Sequence, residues 1–440
     1  MHANDSGRPV APVTRDYAYY ALAVLLAANF LNYTDRFLIS AVGPLVQEHF
    51  KLSEARFGGL SSVFTIGYLV ASPFVGLLSD RYNRPKILAV CVFVWSLATA
   101  GTALSRNYTH LVWARIFTGV GEAGCLSVGP ALVADYFPKA MRGKMLSIFY
   151  AGMPLGSAAG YILGGQLGGR QYKFGLPFLI AAIPGFVIMM LVQTLREPRL
   201  GAVEGVDLQK EAAEPASWKT YLDLARNRTF ILIVLALATV TFLIMPLVFF
   251  FPHYFVAVKH VELDRATLLI GIVAFMAGVG GNLLSGYLGD RLAARTPRAY
   301  TQLACLTLAA GIPFLFVTLL SHRPLVYAFA LFGGMLSFFM YLPLLNTQIA
   351  NITTTHNRAT AFAFTVTAMH LIGDAVSPTV FVIVADRIGG VQIHEGREIA
   401  ATAAHGLQVT YLIFAGLLVV SVFFSWLASR SIPDRKTEAA

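Results

Sequence analysis

Four charged side chains lie where the sequence is otherwise apolar. Asp35 and Arg36 are adjacent inside segment 17–45, and Arg115 and Glu122 lie seven residues apart inside segment 109–136. A charge at the centre of a bilayer costs at least about 2.5–3.5 kcal/mol on insertion scales, and such charges generally mark ion or substrate pathways. We therefore expect these four side chains to pair with one another and to carry a function.

The spacing of these residues predicts a shared cluster in the first half of the chain. Asn29, Asn32 and Arg36 recur at i, i+3 and i+7, which places them on one face of a helix. Arg115 and Glu122 are two turns apart on a second helix. The four charges sum to zero, so mutual pairing could offset much of the cost of burying them.

A buried neutral cluster of this kind could bind protons. Burial favours the protonated form of a carboxyl group, whereas a nearby arginine favours the ionised form. An anion that bound an arginine would release the carboxylate and make its protonation easier. Our hypothesis is that Asp35 and Glu122 bind protons, while Arg36 and Arg115 hold the cluster or bind an anionic head group. The alternative is an ion-pair network that only joins two helices.

The composition is that of a polytopic membrane protein. Of 440 residues, 56% are hydrophobic and 13% charged, against roughly 25% charged in soluble domains. The net charge of +10 is explained by Lys and Arg in loops rather than by nucleic-acid binding. All three cysteines fall in apolar segments, a pattern that argues against a disulfide framework and a metal site. We expect no metal and no cofactor.

The apolar segments predict an all-α protein with about twelve membrane spans in two six-helix bundles, since about 20 apolar residues cross a bilayer. The predicted spans are 17–45, 57–78, 87–105, 109–136, 143–168, 174–195, 229–257, 266–289, 299–320, 324–350, 359–385 and 405–429. The predicted domains are a tail (1–16), a first bundle (17–196), a linker (197–227), a second bundle (228–430) and a tail (431–440). Within the linker, 218–226 predicts an amphipathic helix at the membrane interface.

The loops predict the orientation of the chain. Lys and Arg are about twice as frequent in the loops that share a side with the termini and the linker as in the opposite loops. We therefore expect both termini and the linker in the cytoplasm, and the protein in the cell's inner (plasma) membrane.

A repeated motif indicates duplicated halves. The second and eighth spans both end in G-x-L-x-D-R, 210 residues apart, and Arg142-Gly143 is echoed 216 residues later by Arg358-Ala359. Many transporters are built from such repeats. The motif could form a cytoplasmic gate, because its Asp can pair with an Arg or with a helix N-terminus in one conformation only; a static salt bridge is the alternative. The gate residues are Gly76, Asp80, Arg81, Arg84, Gly286, Asp290 and Arg291.

These motifs resemble the signature loop of the major facilitator superfamily, and the resemblance covers nearly the whole chain. The run from Arg115 to Gly124, with the N-Y-x-D-R of Asn32–Arg36, further resembles the Spinster branch, whose members move lysolipids and sphingoid phosphates. N-Y-x-D-R and G-x-x-E-A also resemble organic-anion:cation symporters, which carry sugar acids. The resemblance implies the major facilitator fold, a monomer, and functional roles for Asp35, Arg36 and Glu122.

Further residues are candidates for lining a cavity. The phenylalanine- and proline-rich seventh span could line an apolar cavity or could face lipid, and His370 and Asp374 at i, i+4 could bind a proton or join two helices. The candidates are Tyr33, Phe242, Met245, Phe249, Tyr341, Asn346, His370 and Asp374. The fifth span carries glycine at every fourth position from 152 to 168, which predicts a packing face against the other half.

Together these observations predict a secondary active transporter that works by alternating access. A polar first half and an apolar second half suit an amphiphilic anion of the lysolipid or sphingoid-phosphate type, with proton coupling; proton symport of a small organic anion such as a sugar acid is the alternative. An enzyme is not expected, because the sequence shows no nucleophile–base set, metal-spaced cluster or nucleotide loop. The expected partners are the substrate, protons and the lipid bilayer.

Overall fold

The computed structural model describes residues 14–52, 54–167, 174–198, 218–261, 263–389 and 401–433, and no strand occurs among them. The helices are α1 Arg15–Ala41, α2 Gly43–Phe50, α3 Glu54–Arg81, α4 Arg84–Ala103, α5 Tyr108–Tyr136, α6 Lys139–Tyr150, α7 Gly152–Leu167, α8 Leu176–Gln193, α9 Trp218–Arg226, α10 Arg228–Ala257, α11 Leu263–Ala293, α12 Ala299–Leu320, α13 Pro324–Ile352, α14 Arg358–Ala368, α15 Ser377–Gly389, α16 Ala401–Leu417 and α17 Val419–Ser431.

These helices form twelve rods in the described part of the chain. The first bundle contains α1, α3, α4, α5, α6 with α7, and α8; the second contains α10, α11, α12, α13, α14 with α15, and α16 with α17. Eleven candidate spans are long and apolar enough to cross a membrane. The rod of α14 and α15 is not among them, because a π-helical turn, Met369–Asp374, interrupts it. The predicted all-α fold class is confirmed.

Asparagines begin several of the rods. The side chains of Asn83, Asn107 and Asn227 each accept a hydrogen bond from the backbone N–H three residues later, at 2.9–3.1 Å. Such a cap satisfies one of the amide groups that the first helical turn leaves without a partner. These caps explain why the loops before α4, α5 and α10 can be so short.

The glycine face of the fifth rod packs within its own bundle. A side chain added at Gly156 would meet the backbone oxygen of Phe30 in α1, and one added at Gly160 would meet that of Thr34. The predicted packing against the other half is therefore wrong. A four-residue glycine spacing identifies a surface for close helix approach but does not identify the neighbour. Residue 168 lies outside the described residues.

The two bundles contact each other mainly through α6 and α14. Helix α6 of the first bundle packs on α11 and α13 of the second, and α14 of the second packs on α3 and α5 of the first. We call the end of the molecule that holds α9, Asp80 and Asp290 the linker end. These contacts close the linker end.

Candidate functional site

An ion pair between α1 and α5 lies at the centre of the first bundle. The Nε and Nη2 atoms of Arg36 donate to Oε2 of Glu122 at 3.1 and 3.0 Å. Glu122 is fully buried, and Arg36 keeps a small exposed fraction. Charge-assisted bonds in such a low-dielectric setting are stronger than the same bonds in water.

Three aromatic rings surround the guanidinium group of Arg36. Its Cζ lies 5.0 Å from the ring centre of Tyr33, 5.2 Å from that of Phe64 and 5.5 Å from that of Tyr68. We call Tyr33, Phe64 and Tyr68 the aromatic box. A cation within about 6 Å of a ring centre is attracted by the ring's quadrupole, so the box stabilises Arg36 without taking up its N–H donors.

The two remaining predicted charges have different partners. Asp35 accepts a hydrogen bond from the Thr99 hydroxyl of α4 at 2.9 Å, and its Oδ1 has no hydrogen-bond partner within the described residues. The guanidinium of Arg115 lies 4.6 Å from the ring centre of Phe64. Two cations therefore share one ring of the aromatic box.

The two predicted asparagines differ in their bonding. Asn29 donates to the carbonyl oxygen of Phe149 at 2.8 Å, and the Cys125 thiol donates to its Oδ1 at 3.8 Å. The amide of Asn32 is fully buried, and among the described residues it has no hydrogen-bond partner. Because buried amides in native proteins are nearly always bonded, Asn32 is a candidate contact for a substrate or a water molecule.

His370 brings the second bundle into contact with the aromatic box. Its ring meets the ring of Tyr68 edge-on, with centroids 4.7 Å apart. His370 lies in the π-helical turn, which packs against α10 where Gly373 meets Thr241. π-helical turns are frequent at functional sites.

The other cavity candidates are spread over the second bundle. Phe242 stacks on Phe414 with centroids 6.2 Å apart, and Asn346 donates to the Leu342 carbonyl of its own helix at 2.8 Å. Met245 is 38% exposed, and Tyr341 is partly buried. The side chains of Phe249 and Asp374 lie outside the described residues.

The two repeated motifs make matching contacts across the bundles. Asp80 accepts hydrogen bonds from the backbone N–H groups of Ala359 and Thr360, at 3.1 and 2.7 Å. Asp290 accepts from those of Gly143 and Lys144, at 2.9 and 2.8 Å. Asp80 therefore caps the first turn of α14, where the helix dipole favours negative charge, and Asp290 binds the second turn of α6.

The motif glycines allow these contacts. A side chain at Gly76 would collide with Ala363, and one at Gly286 would collide with Ser147. Both motif glycines therefore lie at the contact between the bundles. Arg81 and Arg291 are exposed, and Arg291 donates to the Tyr287 hydroxyl at 3.1 Å.

A buried ionic network lies beside Asp80, and the sequence prediction missed most of it. Arg84 and Arg358 both form ion pairs with Asp135, and Arg84 Nε also donates to Glu197 at 2.5 Å. Asp135 lies 216 residues before Asn351, the same offset as the Arg142–Arg358 echo, which is the signal that could have identified it.

At the position that matches Asp135, the second bundle has the neutral residue Asn351. There Arg142 donates to Asn351 Oδ1 at 2.7 Å and to the Ala134 carbonyl at 3.0 Å. The two contacts between the bundles therefore share their geometry but differ in charge.

Two six-rod bundles joined by a repeated acidic motif have the architecture of a secondary transporter. The chain belongs to the Major Facilitator Superfamily, whose profile matches residues 25–378, and within it to the Spinster family. It is 31% identical to human Protein spinster homolog 1 over 388 residues, which are 83% of this chain and 73% of the relative. It is 29% identical to the sphingosine-1-phosphate transporter SPNS2 of Danio rerio, covering 84% of this chain and 76% of the relative.

Solved structures share the fold. A bacterial homologue of the human lysosomal transporter Spinster, inward-facing and unoccupied, is 22% identical with a TM-score of 0.66, covering 95% of this chain and 98% of that one. The transporter FucP in the outward conformation is 17% identical with a TM-score of 0.73, covering 92% and 98%. The chain is thus a multi-pass membrane transporter of Spinster type, and its relatives are transporters rather than enzymes.

Proposed function

We propose that this Spinster-type transporter carries an amphiphilic anion of the lysolipid or sphingoid-phosphate class, coupled to protons, by alternating access. The observation that carries the proposal is the buried Arg36–Glu122 pair in its aromatic box. The function of the sphingosine-1-phosphate transporters among the relatives supports the choice of substrate class.

The first bundle supplies the chemistry for an anionic head group. The Nε of buried Arg115 has no hydrogen-bond partner among the described residues, and Arg36 uses two of its donors on one carboxylate oxygen. Guanidinium groups bind phosphate bidentately. The apolar chain of the substrate would lie against the second bundle, where Phe242 and Met245 are candidates.

The carboxylates of the same cluster are the proposed proton sites. Glu122 Oε1 and Asp35 Oδ1 have no hydrogen-bond partner within the described part of the chain. A head group that competes for Arg36 would free Glu122 from its ion pair and favour protonation. Binding of the anion and of the proton would then support each other.

The linker end is the proposed cytoplasmic gate. Asp80 and Asp290 hold it closed by binding backbone N–H groups of helices in the opposite bundle, and the substrate would be released when these contacts separate. The Lys and Arg bias of the loops supports a cytoplasmic location for this end, both termini and the linker 197–227. The proposed location of the protein is the cell's inner (plasma) membrane. We expect a monomer.

Flux into proteoliposomes under an imposed pH gradient tests the proposal. We would compare a labelled lysophospholipid with a labelled sugar acid, for the wild type, Asp35→Asn and Glu122→Gln. Lysophospholipid flux that depends on the gradient should be lost in both variants. Asp16→Asn, which alters an exposed carboxylate on the same helix as Asp35, is the matched control and should transport normally.

Each part of the proposal has its own contradicting outcome. Flux of the sugar acid alone would replace the substrate class and retain the cluster. Normal transport with an unchanged pH profile in both carboxylate variants would contradict the proton role of Asp35 and Glu122.

A further inference from the structure

Helix α9 lies across the contact between the two bundles. The Tyr221 hydroxyl donates to the Pro73 carbonyl oxygen of α3 at 2.7 Å, and the Tyr221 ring stacks on Phe364 of α14 with centroids 5.9 Å apart. Burial raises the pKa of the Tyr221 phenol, so the hydroxyl remains a donor across the physiological range. A single side chain of the linker thus contacts both bundles where α3 and α14 meet.

The contacts of α9 with α3 indicate a position at the surface of the bilayer. Trp218 meets Phe74 of α3 edge-on, with centroids 5.4 Å apart, and stacks on Tyr221 at 5.5 Å. Phe74 and Leu78 are exposed, one turn apart, on a candidate membrane span. An exposed apolar stripe on a span faces lipid, so α9 runs along the edge of a lipid-facing surface.

The outer face of α9 is built for a membrane surface. Trp218 and Leu222 lie one turn apart and are 55% and 61% exposed, and Lys219 and Arg226 beside them are also exposed. A bulky apolar pair flanked by basic side chains is the pattern by which interfacial helices bind anionic lipids. The pair of Arg226 with Asp223, at 3.8 Å between exposed groups, is too weak to compete with a lipid phosphate.

We infer that α9 binds anionic phospholipid head groups through Lys219 and Arg226, with Trp218 and Leu222 in the interface, and thereby stabilises the closed linker end. A ligand shifts a conformational equilibrium by the difference in its affinity for the two states. Lipid bound to the outer face of α9 holds the helix parallel to the membrane surface. The inner face of α9 then holds α3 against α14. This inference does not depend on the substrate or on proton coupling.

Distances between the bundles test the inference in the full chain. Spin labels at Lys86→Cys and Thr354→Cys, which are exposed positions at the linker end of the first and second bundles, report its opening once Cys91, Cys125 and Cys305 are replaced. The chain is placed in bilayers of phosphatidylcholine alone or with one part in three phosphatidylglycerol. Because basic side chains are attracted to an anionic surface, we expect the closed-to-open ratio to rise about three-fold or more.

Matched variants separate α9 from general charge effects. Lys219→Gln with Arg226→Gln should abolish the response to phosphatidylglycerol. Arg106→Gln with Arg323→Gln, which removes two exposed charges from the opposite end, should keep it. Tyr221→Phe should lower the closed fraction in both lipids, because the bond to Pro73 is lost.

Two results would overturn the inference. One is the same distance distribution for the wild type in both lipid mixtures. The other is a full response to phosphatidylglycerol in the Lys219→Gln/Arg226→Gln variant. Because no flux is measured, a failure of the proposed substrate class would leave this result unaffected.

Discussion

Arg36 combines two kinds of recognition that a lysine cannot reproduce. Its planar guanidinium bonds Glu122 through two nitrogens while its faces lie against the aromatic box. An ammonium group is a point charge on a flexible stem and lacks this geometry. The side chain therefore sets both the charge balance and the shape of the site.

Arg36→Lys should accordingly behave as a severe change. We expect transport to fall on the order of 10-fold or more, since a loss of about 1.4 kcal/mol of binding already corresponds to 10-fold. Flux at saturating and at low substrate concentrations would measure it. Arg15→Lys, at an arginine 5.8 Å from the Tyr19 ring in the exposed first turn of α1, should have little effect, and equal losses in both variants would contradict the role of Arg36.

The lowered pKa of His356, at the linker end, predicts that the stability of the protein depends on pH. Burial, and secondly the charge of Arg84, lower the pKa of His356 below its ordinary value of 6.5. The folded state favours the neutral imidazole, so its contribution is complete above pH 6.5 and is lost as the pH falls through the lowered pKa. His356→Gln should therefore lose less thermal stability than the wild type between pH 7 and pH 5.

The control for this prediction is a histidine at the opposite end. His322→Gln alters an exposed side chain and should follow the wild type over the same pH range. Parallel curves for the wild type and His356→Gln would show that His356 does not contribute.

Sequence reasoning found the charged residues of the site but not their neighbours. Arg36 and Glu122 stand out because a charge in an apolar segment is rare. Phe64 and Tyr68 do not stand out, since aromatic residues are common in membrane spans, and only the packing of α3 shows that they surround Arg36. Thr99 was also missed, because only the packing of α4 brings its hydroxyl to Asp35.

At the scale of the elements, the contact of α7 with α1 depends on glycine. Gly156→Ala would place a methyl group against the Phe30 backbone, which cannot move as a flexible side chain can. We expect a cost of about 1–3 kcal/mol, the range typical of overpacking, seen as a lower midpoint of thermal unfolding in detergent.

Gly101 of α4 is the matched comparison. A side chain there would meet nothing within 4 Å, and alanine favours a helix over glycine by up to about 1 kcal/mol. Gly101→Ala should therefore keep or raise the unfolding midpoint. A fall as large as that of Gly156→Ala would mean that the cost is not one of packing.

The bounds of the helices were predicted more accurately from the sequence than the interruptions within them. Span 299–320 was predicted with the bounds that α12 has, because Arg298 and the polar residues after Leu320 frame a largely apolar run. The break at Ala151 and the π-helical turn at 369–374 were not predicted. Hydropathy alone does not mark them, but Pro154 and Pro378 lie four residues after Tyr150 and Asp374 and remove a helical N–H donor at each place.

At the scale of the molecule, the two bundle contacts should differ in strength. Asp135 holds two buried arginines, Arg84 and Arg358, whereas Asn351 binds the single Arg142. Removal of a carboxylate from a buried ionic network leaves uncompensated charge, which costs on the order of 3 kcal/mol. The loss of one amide hydrogen bond costs about 1 kcal/mol.

Asp135→Asn should therefore lower the unfolding midpoint more than Asn351→Ala. Thermal unfolding of both variants in the same detergent would measure the difference. Equal shifts would mean that the ionic network contributes no more than its neutral counterpart.

The duplicated architecture was predictable because the echoes at 210 and 216 residues are visible in the sequence. The closed linker end was not, because the sequence motifs do not show which arrangement of the two bundles is favoured. The sequence identifies Asp80 and Gly76 as residues that can form a contact between the bundles, but only the structure shows that the contact is formed.

The interruptions of the fifth and eleventh rods have a mechanical consequence. The rods break after Tyr150 and after Ala368, at nearly the same distance from Arg142 and Arg358. The short segments before the breaks, α6 and α14, pack on the opposite bundle, whereas α7 remains packed on α1 of its own. Each break therefore has the position of a hinge, about which a short arm could swing with the other bundle while the remainder of its rod stays in place.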